Sequence, residues 1–119
     1  MALPEQPSLG SPTVFGLPAH TVEHLGNAFT NHESIESVTL YGSRANGNYR
    51  YNSDIDLLLT APEMTWAEFN RLECDIDDLL LPWKVDLALK HHVENQNLLA
   101  HVERIGIVIY QRRPDPSVF

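Results

Sequence analysis

Basic side chains are scarce in this 119-residue chain: 8 Lys and Arg stand against 16 Asp and Glu, for a formal charge of −8 and a pI near 5.0. Holding a long polynucleotide through its phosphates takes clustered Lys and Arg, so direct binding of long nucleic acid is not expected. Cysteine occurs once, as Cys74. That excludes an internal disulfide and fits a reducing cytoplasm. No run approaches the roughly 18–20 apolar residues of a membrane span, and the N-terminus lacks a basic stretch followed by an apolar one. Neither membrane insertion nor secretion is expected, and the location expected is cytoplasmic. Repeats are absent, and 43% hydrophobic content at this length suits one domain with a modest core.

Organisation along the chain follows from periodicity. Residues 1–17 carry Pro4, Pro7 and Pro12 among Ser and Gly and are expected to be a flexible leader. Residues 18–112 form the expected domain, with 113–119 as a tail. Val22, Leu25, Ala28 and Phe29 lie on one face of a helix predicted from about Pro18 to His32, and Ile35 to Tyr41 reads as a strand. Thr65-Trp66-Ala67-Glu68 resembles a capping box that opens a helix carrying Trp66, Phe69, Leu72, Ile76, Leu79 and Leu80 on one side, stopped by Pro82. Its other side holds Asp75, Asp77 and Asp78, expected to face solvent or a partner. A last helix, about Asn95 to Ile105, buries Leu98, Leu99, Val102 and Ile105 and ends at Gly106, before a strand from Ile107 to Tyr110. Strands alternating with helices predict an α/β (α+β) domain, and the short link between the first two strands predicts a mixed sheet flanked by helices.

The chemistry is concentrated in two stretches. Gly42-Ser43-Arg44-Ala45-Asn46-Gly47 is a small-residue turn, and Ser53-Asp54-Ile55-Asp56 opens the apolar run Leu57-Leu58-Leu59. Successive side chains of a strand alternate faces, so Asp54 and Asp56 share one side while Ile55, Leu57 and Leu59 take the other. Unneutralised, two such carboxylates repel, which favours a hard cation such as Mg2+ shared with nucleotide oxygens. In Trp83-Lys84-Val85-Asp86-Leu87-Ala88-Leu89 the same alternation predicts a half-buried strand. If that strand neighbours the first in one sheet, Asp86 joins Asp54 and Asp56 with oxygens enough for one or two Mg2+ ions. Ser43 is expected to cap a short helix starting near Arg44, its free amides turned to phosphate oxygens. Arg44 and Arg50 are candidates for the leaving phosphates and, equally, for plain solvated loop side chains. Taken singly, each fragment is ordinary loop punctuation; together they form a much rarer pattern.

Gly42-Ser43 through Gly47, followed by Ser53-Asp54-Ile55-Asp56-Leu57, resembles the signature of the polymerase-beta-like nucleotidyltransferase superfamily. With Leu81-Pro82-Trp83-Lys84-Val85-Asp86-Leu87 it is similar to the minimal nucleotidyltransferases, and the likeness runs from about Val38 to Tyr110 without departure at these positions. The resemblance implies that Gly42 and Ser43, with Arg44 and Ser53, bind the nucleotide. It also implies that Asp54 and Asp56 hold Mg2+ and that Asp86 helps activate an attacking hydroxyl. ATP is implied as donor, and a HEPN-type ribonuclease toxin as partner, silenced by AMP placed on its tyrosine. At this length no second domain is expected to hold the acceptor, which must come from another molecule.

Other readings accompany this one. The acidic face could neutralise a basic ribonuclease surface by binding alone, or AMP could pass to a small molecule such as an aminoglycoside. His20-Thr21-Val22-Glu23-His24 fits the H-x-x-E-H pattern of inverted zinc proteases, but five residues match a short pattern easily and a further ligand is wanting. His91 and His92 are adjacent and expected to point apart, against a joint metal role.

Overall fold

The computed structural model describes residues 13–112. Most of the expected leader and the whole tail, residues 1–12 and 113–119, lie outside them. Where the leader was expected to end, β1 (Thr13–Val14) and β2 (Leu17–Pro18) form a small antiparallel hairpin. Its turn places Phe15 at φ 59° and Gly16 at φ 77°, and Leu17 is buried. Among the described residues, regular structure is therefore present at 13–17, inside the expected leader, where Leu17 supplies an apolar anchor.

Four strands make the main sheet: β3 (Ser37–Tyr41), β4 (Ile55–Thr60), β5 (Val85–Leu89) and β6 (Ile107–Gln111), in the order β5-β4-β3-β6. β3 is antiparallel to both neighbours while β4 and β5 run parallel, so the sheet is mixed as expected. The parallel pair is possible because the long connection between β4 and β5 carries a helix.

Two helices, α1 (Ala19–Thr30) and α3 (Trp66–Asp77), cover one face. Leu25 and Phe29 from α1 and Leu72 and Ile76 from α3 join Val38, Leu40, Leu57 and Leu59 of the sheet in a single buried cluster. Each fully buried side chain of this size stabilises the fold by about 1.5–3 kcal/mol. Between them, α2 (Ser43–Asn46) is a single turn after β3. On the opposite face α4 (Gln96–Ile105) lies by the middle of the sheet, where Thr39, Leu58, Leu99 and Val102 line a common cavity. None of its residues is fully buried, although Leu98, Leu99, Val102 and Ile105 were expected to be. Gly106 ends α4 with φ −64°, not a left-handed value, and its amide donates to Val102 O at 2.7 Å. The small residue is needed for approach, since a Cβ there would sit 2.7 Å from Thr39 Cγ2.

The capping box is half made. Thr65 Oγ1 accepts from the Glu68 amide at 3.1 Å, but Glu68 turns its carboxylate to Ser34 Oγ at 2.9 Å and towards His32 Nδ1 at 3.7 Å. Buried His32 meets Asp75 through Nε2 at 2.7 Å, so Asp75 ties α3 to the end of α1 and is not simply solvated. Thr65→Ala is expected to lower stability by about 1 kcal/mol, the ordinary cost of a lost N-cap, read as a lower denaturant midpoint at unchanged m-value. α3 stops at Asp77, well before Pro82. Leu79 and Leu80 donate back to Ile76 and Asp77 at 3.0 Å in tight turns, and Leu80 adopts φ 56°.

Candidate active site

β4 and β5 bring two of the three carboxylates into register. Asp56 pairs directly with Asp86 across the parallel ladder, so both project from the same face. Tyr41 stands opposite Asp56 from β3. Asp54 precedes β4 and is exposed. Burial first, then the charges of Asp86 and Asp54, raise the Asp56 carboxyl above its usual range, with Lys84 opposing. Lys84 Nζ lies 3.6 Å from Asp86 Oδ1. Desolvation, then Asp56 and Asp86, raise the Tyr41 hydroxyl in turn.

Gly42 sits at the end of β3 with φ 78° and ψ −156°, a combination open almost only to glycine. A Cβ at this position would collide with Asp56 Oδ2 and lie 3.2 Å from its Cγ. The turn and the carboxylate are thus in contact, and the glycine serves both the backbone angle and the close approach. Gly42, not Ser43, is the N-cap of α2, and Ser43 is its first residue; the turn closes through Asn46 N to Gly42 O at 3.0 Å and Gly47 N to Ser43 O at 2.9 Å. Gly42→Ala is expected to cost about 1–3 kcal/mol of stability. Displacement of Asp56 by about 1 Å is expected to reduce turnover about 100-fold, measured by denaturation and by initial rates with the folded variant.

Arg44 corrects an expectation. It is 2% exposed, and its guanidinium donates to Phe15 O at 2.9 Å, Tyr51 O at 2.9 Å and Ser53 O at 3.0 and 3.2 Å. The Tyr49 and Trp83 rings flank it at 5.2 and 5.8 Å. Burial lowers its pKa, partly offset by Tyr49, yet a guanidinium stays cationic at neutral pH. Four of its bonds go to carbonyls of the loop between α2 and β4 and of the hairpin turn, so the structure shows it holding main chain together. Ser53 is likewise engaged: its hydroxyl oxygen accepts from the Arg50 amide at 2.8 Å. Trp83 Nε1 closes the same loop on Tyr51 O at 2.7 Å. Sequence reasoning missed Tyr41 and Lys84 at the site. Both were within reach of it, since Tyr41 precedes Gly42 on a strand of known alternation and Lys84 has the same strand parity as Asp86.

Among the described residues no group of three or more His, Cys, Asp or Glu side chains is gathered closely enough to hold a metal ion by itself. The donor set nevertheless fits Mg2+, which is usually held by one or two carboxylates together with substrate phosphates and seldom by an all-protein cage. His20 and His24 lie edge to face at 5.7 Å on α1 without a third ligand. His91 and His92 do not point apart: a short 3-10 turn brings their rings to 4.3 Å, and His92 stacks on Trp66 at 4.7 Å.

The family model for polymerase beta, nucleotidyltransferase, matches residues 23–115, and the chain belongs to this family. Among curated proteins no relative matches. Among solved structures the chain is similar to a toxin-antitoxin crystallised with AMP-PNP, at 19% identity and TM-score 0.63, covering 82% of this chain and 78% of that one. It is similar too to a mutant of the toxin-antitoxin MntA-HpeT carrying two Asp-to-Glu substitutions, at 19% identity and TM-score 0.58, covering 83% and 77%. At this identity the likeness shows a common fold. No described helix is long and apolar enough to cross a membrane.

Proposed function

We propose that the protein is a Mg2+-dependent adenylyltransferase that moves AMP from ATP to a hydroxyl of a separate acceptor, a tyrosine of a HEPN-type toxin, and so acts as its antitoxin. The observation that carries this reading is the pairing of Asp56 with Asp86 across β4 and β5, in contact with the Gly42 turn. A toxin-antitoxin with AMP-PNP among the similar folds supports both the nucleotide and the class of partner.

Asp54 and Asp56 would hold the cation, with Asp86 completing the set. When bound, Mg2+ supplies positive charge against the α-phosphate and the departing pyrophosphate. Gly42 admits the triphosphate to the backbone, and the leading amides of α2 beginning at Ser43 face it. Arg50, exposed on the neighbouring loop, offers the leaving phosphates a cation, while Arg44 and Ser53 keep that loop in shape. Asp86 accepts the proton of the acceptor hydroxyl as its oxygen bonds to the α-phosphorus. The bond from that phosphorus to the bridging oxygen breaks, and pyrophosphate carries away the electron pair. No cytoplasmic activity in this scheme calls for a membrane or a long nucleic acid.

Binding without chemistry is the competing account. Asp54→Asn with Asp56→Asn, produced beside the toxin, discriminates: catalysis requires that protection and label transfer from ATP vanish together. Protection that survives in a folded, label-negative variant would support neutralisation by binding. Adducts formed by the isolated chain with aminoglycosides, sought by mass spectrometry, would redirect the acceptor to a small molecule.

A further inference from the structure

β5 is the strand that carries Asp86, and among the described residues it is an edge of the sheet. Ile55 N donates to Lys84 O at 2.9 Å, and the register pairs Ile55 with Val85 and Leu57 with Leu87. In a parallel ladder the backbone groups of successive residues turn to opposite sides. Lys84, Asp86 and Ala88 therefore turn theirs to β4, and Val85 and Leu87 present N–H and C=O to the open edge.

The ground beside that edge is shaped for side chains. Between β5 and α3 run two adjoining cavities of about 250 and 190 Å³ that share Ile76, Asp77 and Val85. Leu80, Leu81 and Leu87 extend the apolar floor, and Glu73 joins Asp77 as an acidic wall. Leu80 is 86% exposed despite its left-handed backbone, an arrangement that gains nothing from the described fold. On the other face of β5 lies Asp86.

We infer that the acceptor is presented as an extended segment added to the free edge of β5, apolar residues in the β5–α3 groove, basic residues at Glu73 and Asp77, and the hydroxyl-bearing residue between them beside Asp86. The inference rests on the transferase reading and adds to it how the acceptor is chosen. Strands pair about 4.8 Å apart and alternate their faces, so a hydroxyl residue flanked by two apolar ones reaches the carboxylate face while its neighbours enter the groove. Main-chain bonds supply affinity and the groove supplies selection. β6, the other edge, has no carboxylate of the site on it.

The test uses nine-residue peptides with one tyrosine between valines and arginines at both ends, against the full chain. A second peptide carries glutamates in place of the arginines, and a third carries N-methyl groups on the residues whose amides would face β5. Binding by fluorescence anisotropy is expected to weaken at least 10-fold for the second peptide and to vanish for the third. The first peptide is expected to slow amide exchange at Val85 and Leu87. Leu80→Asn, which suits the left-handed backbone, and Glu73→Lys with Asp77→Lys are expected to weaken it at least 10-fold while leaving the melting temperature and the ATP-induced shift of that temperature unchanged. Equal binding of all three peptides, no binding of any, or self-association of the chain that Asp77→Lys abolishes would overturn the inference. Edge binding without label transfer from ATP would keep β5 as a docking edge but remove the transferase reading and with it the acceptor role; label transfer to tyrosine indifferent to these variants would keep the transferase reading and overturn the docking edge.

Discussion

Asp56→Asn is expected to abolish AMP transfer, by at least about a thousandfold in kcat, without harming the fold. The magnitude follows from deleting one preorganised charge at the place where phosphate charge develops. The second half of the expectation comes from the sign of the Asp56 shift. Burial, then Asp86 and Asp54, raise its folded pKa above the unfolded value, so the folded state binds this proton more tightly. Between the ordinary carboxylate value and the raised one, stability falls as pH rises, and above the raised value the penalty is present in full. Asn removes that penalty. In metal-free buffer at neutral pH the variant's melting temperature should equal or exceed that of the parent, and the gap should close as the solution is acidified through the same interval. MgATP should raise the melting temperature of the parent and leave the variant nearly unmoved. A variant that loses activity and melts many degrees lower would mean that Asp56 is structural.

Arg44→Met carries the opposite signature, a large loss of stability. The substitution keeps much of the volume but strands the carbonyls of Phe15, Tyr51 and Ser53, of which, among the described residues, only Tyr51 keeps a second side-chain donor, Trp83 Nε1. At about 1–3 kcal/mol for each buried acceptor left without a partner, the expected loss is about 3–5 kcal/mol, a large share of a small domain's stability. The melting temperature should fall by at least about 12 °C. Arg44→Lys should recover little, because one ammonium cannot reach the three carbonyls a planar fork spans. If instead Arg44→Met retained the parental melting temperature and lost only affinity for ATP, the guanidinium would belong to the phosphates after all.

The contrast between these two residues marks what could be read from the sequence. The face taken by Asp56 and Asp86 was legible because strand alternation fixes which side a side chain takes; that β4 and β5 are parallel neighbours with Asp56 opposite Asp86 was only a condition of the reading and had no signal in residue identity. Helices α1, α3 and α4 were legible by periodicity to within a few residues at most ends. Arg44 was misread because its partners are main-chain carbonyls from Phe15 to Ser53, which carry no signal in residue identity; a cation in a glycine-rich turn looks the same whether it faces phosphate or protein. The hairpin at Thr13–Pro18 was hidden for a similar reason, since its turn is held by Arg44 through Phe15 O and fits against Tyr49, with a Cβ on Gly16 falling 2.7 Å from Tyr49 Cζ. Glu68 and Asp75 escaped because their partners, Ser34 and His32, are more than thirty residues away. The same tertiary competition left Thr65 as the only working half of its capping box.

The central claim is that this site passes AMP from ATP to a separate protein. It is tested most directly by incubating the chain with the proposed HEPN-type partner, Mg2+ and ATP labelled at either the α- or the γ-phosphate. The account predicts label on the toxin from α-labelled ATP alone, with pyrophosphate released in equal amount. Label from γ-labelled ATP, or none from either while the toxin is still neutralised, would contradict it.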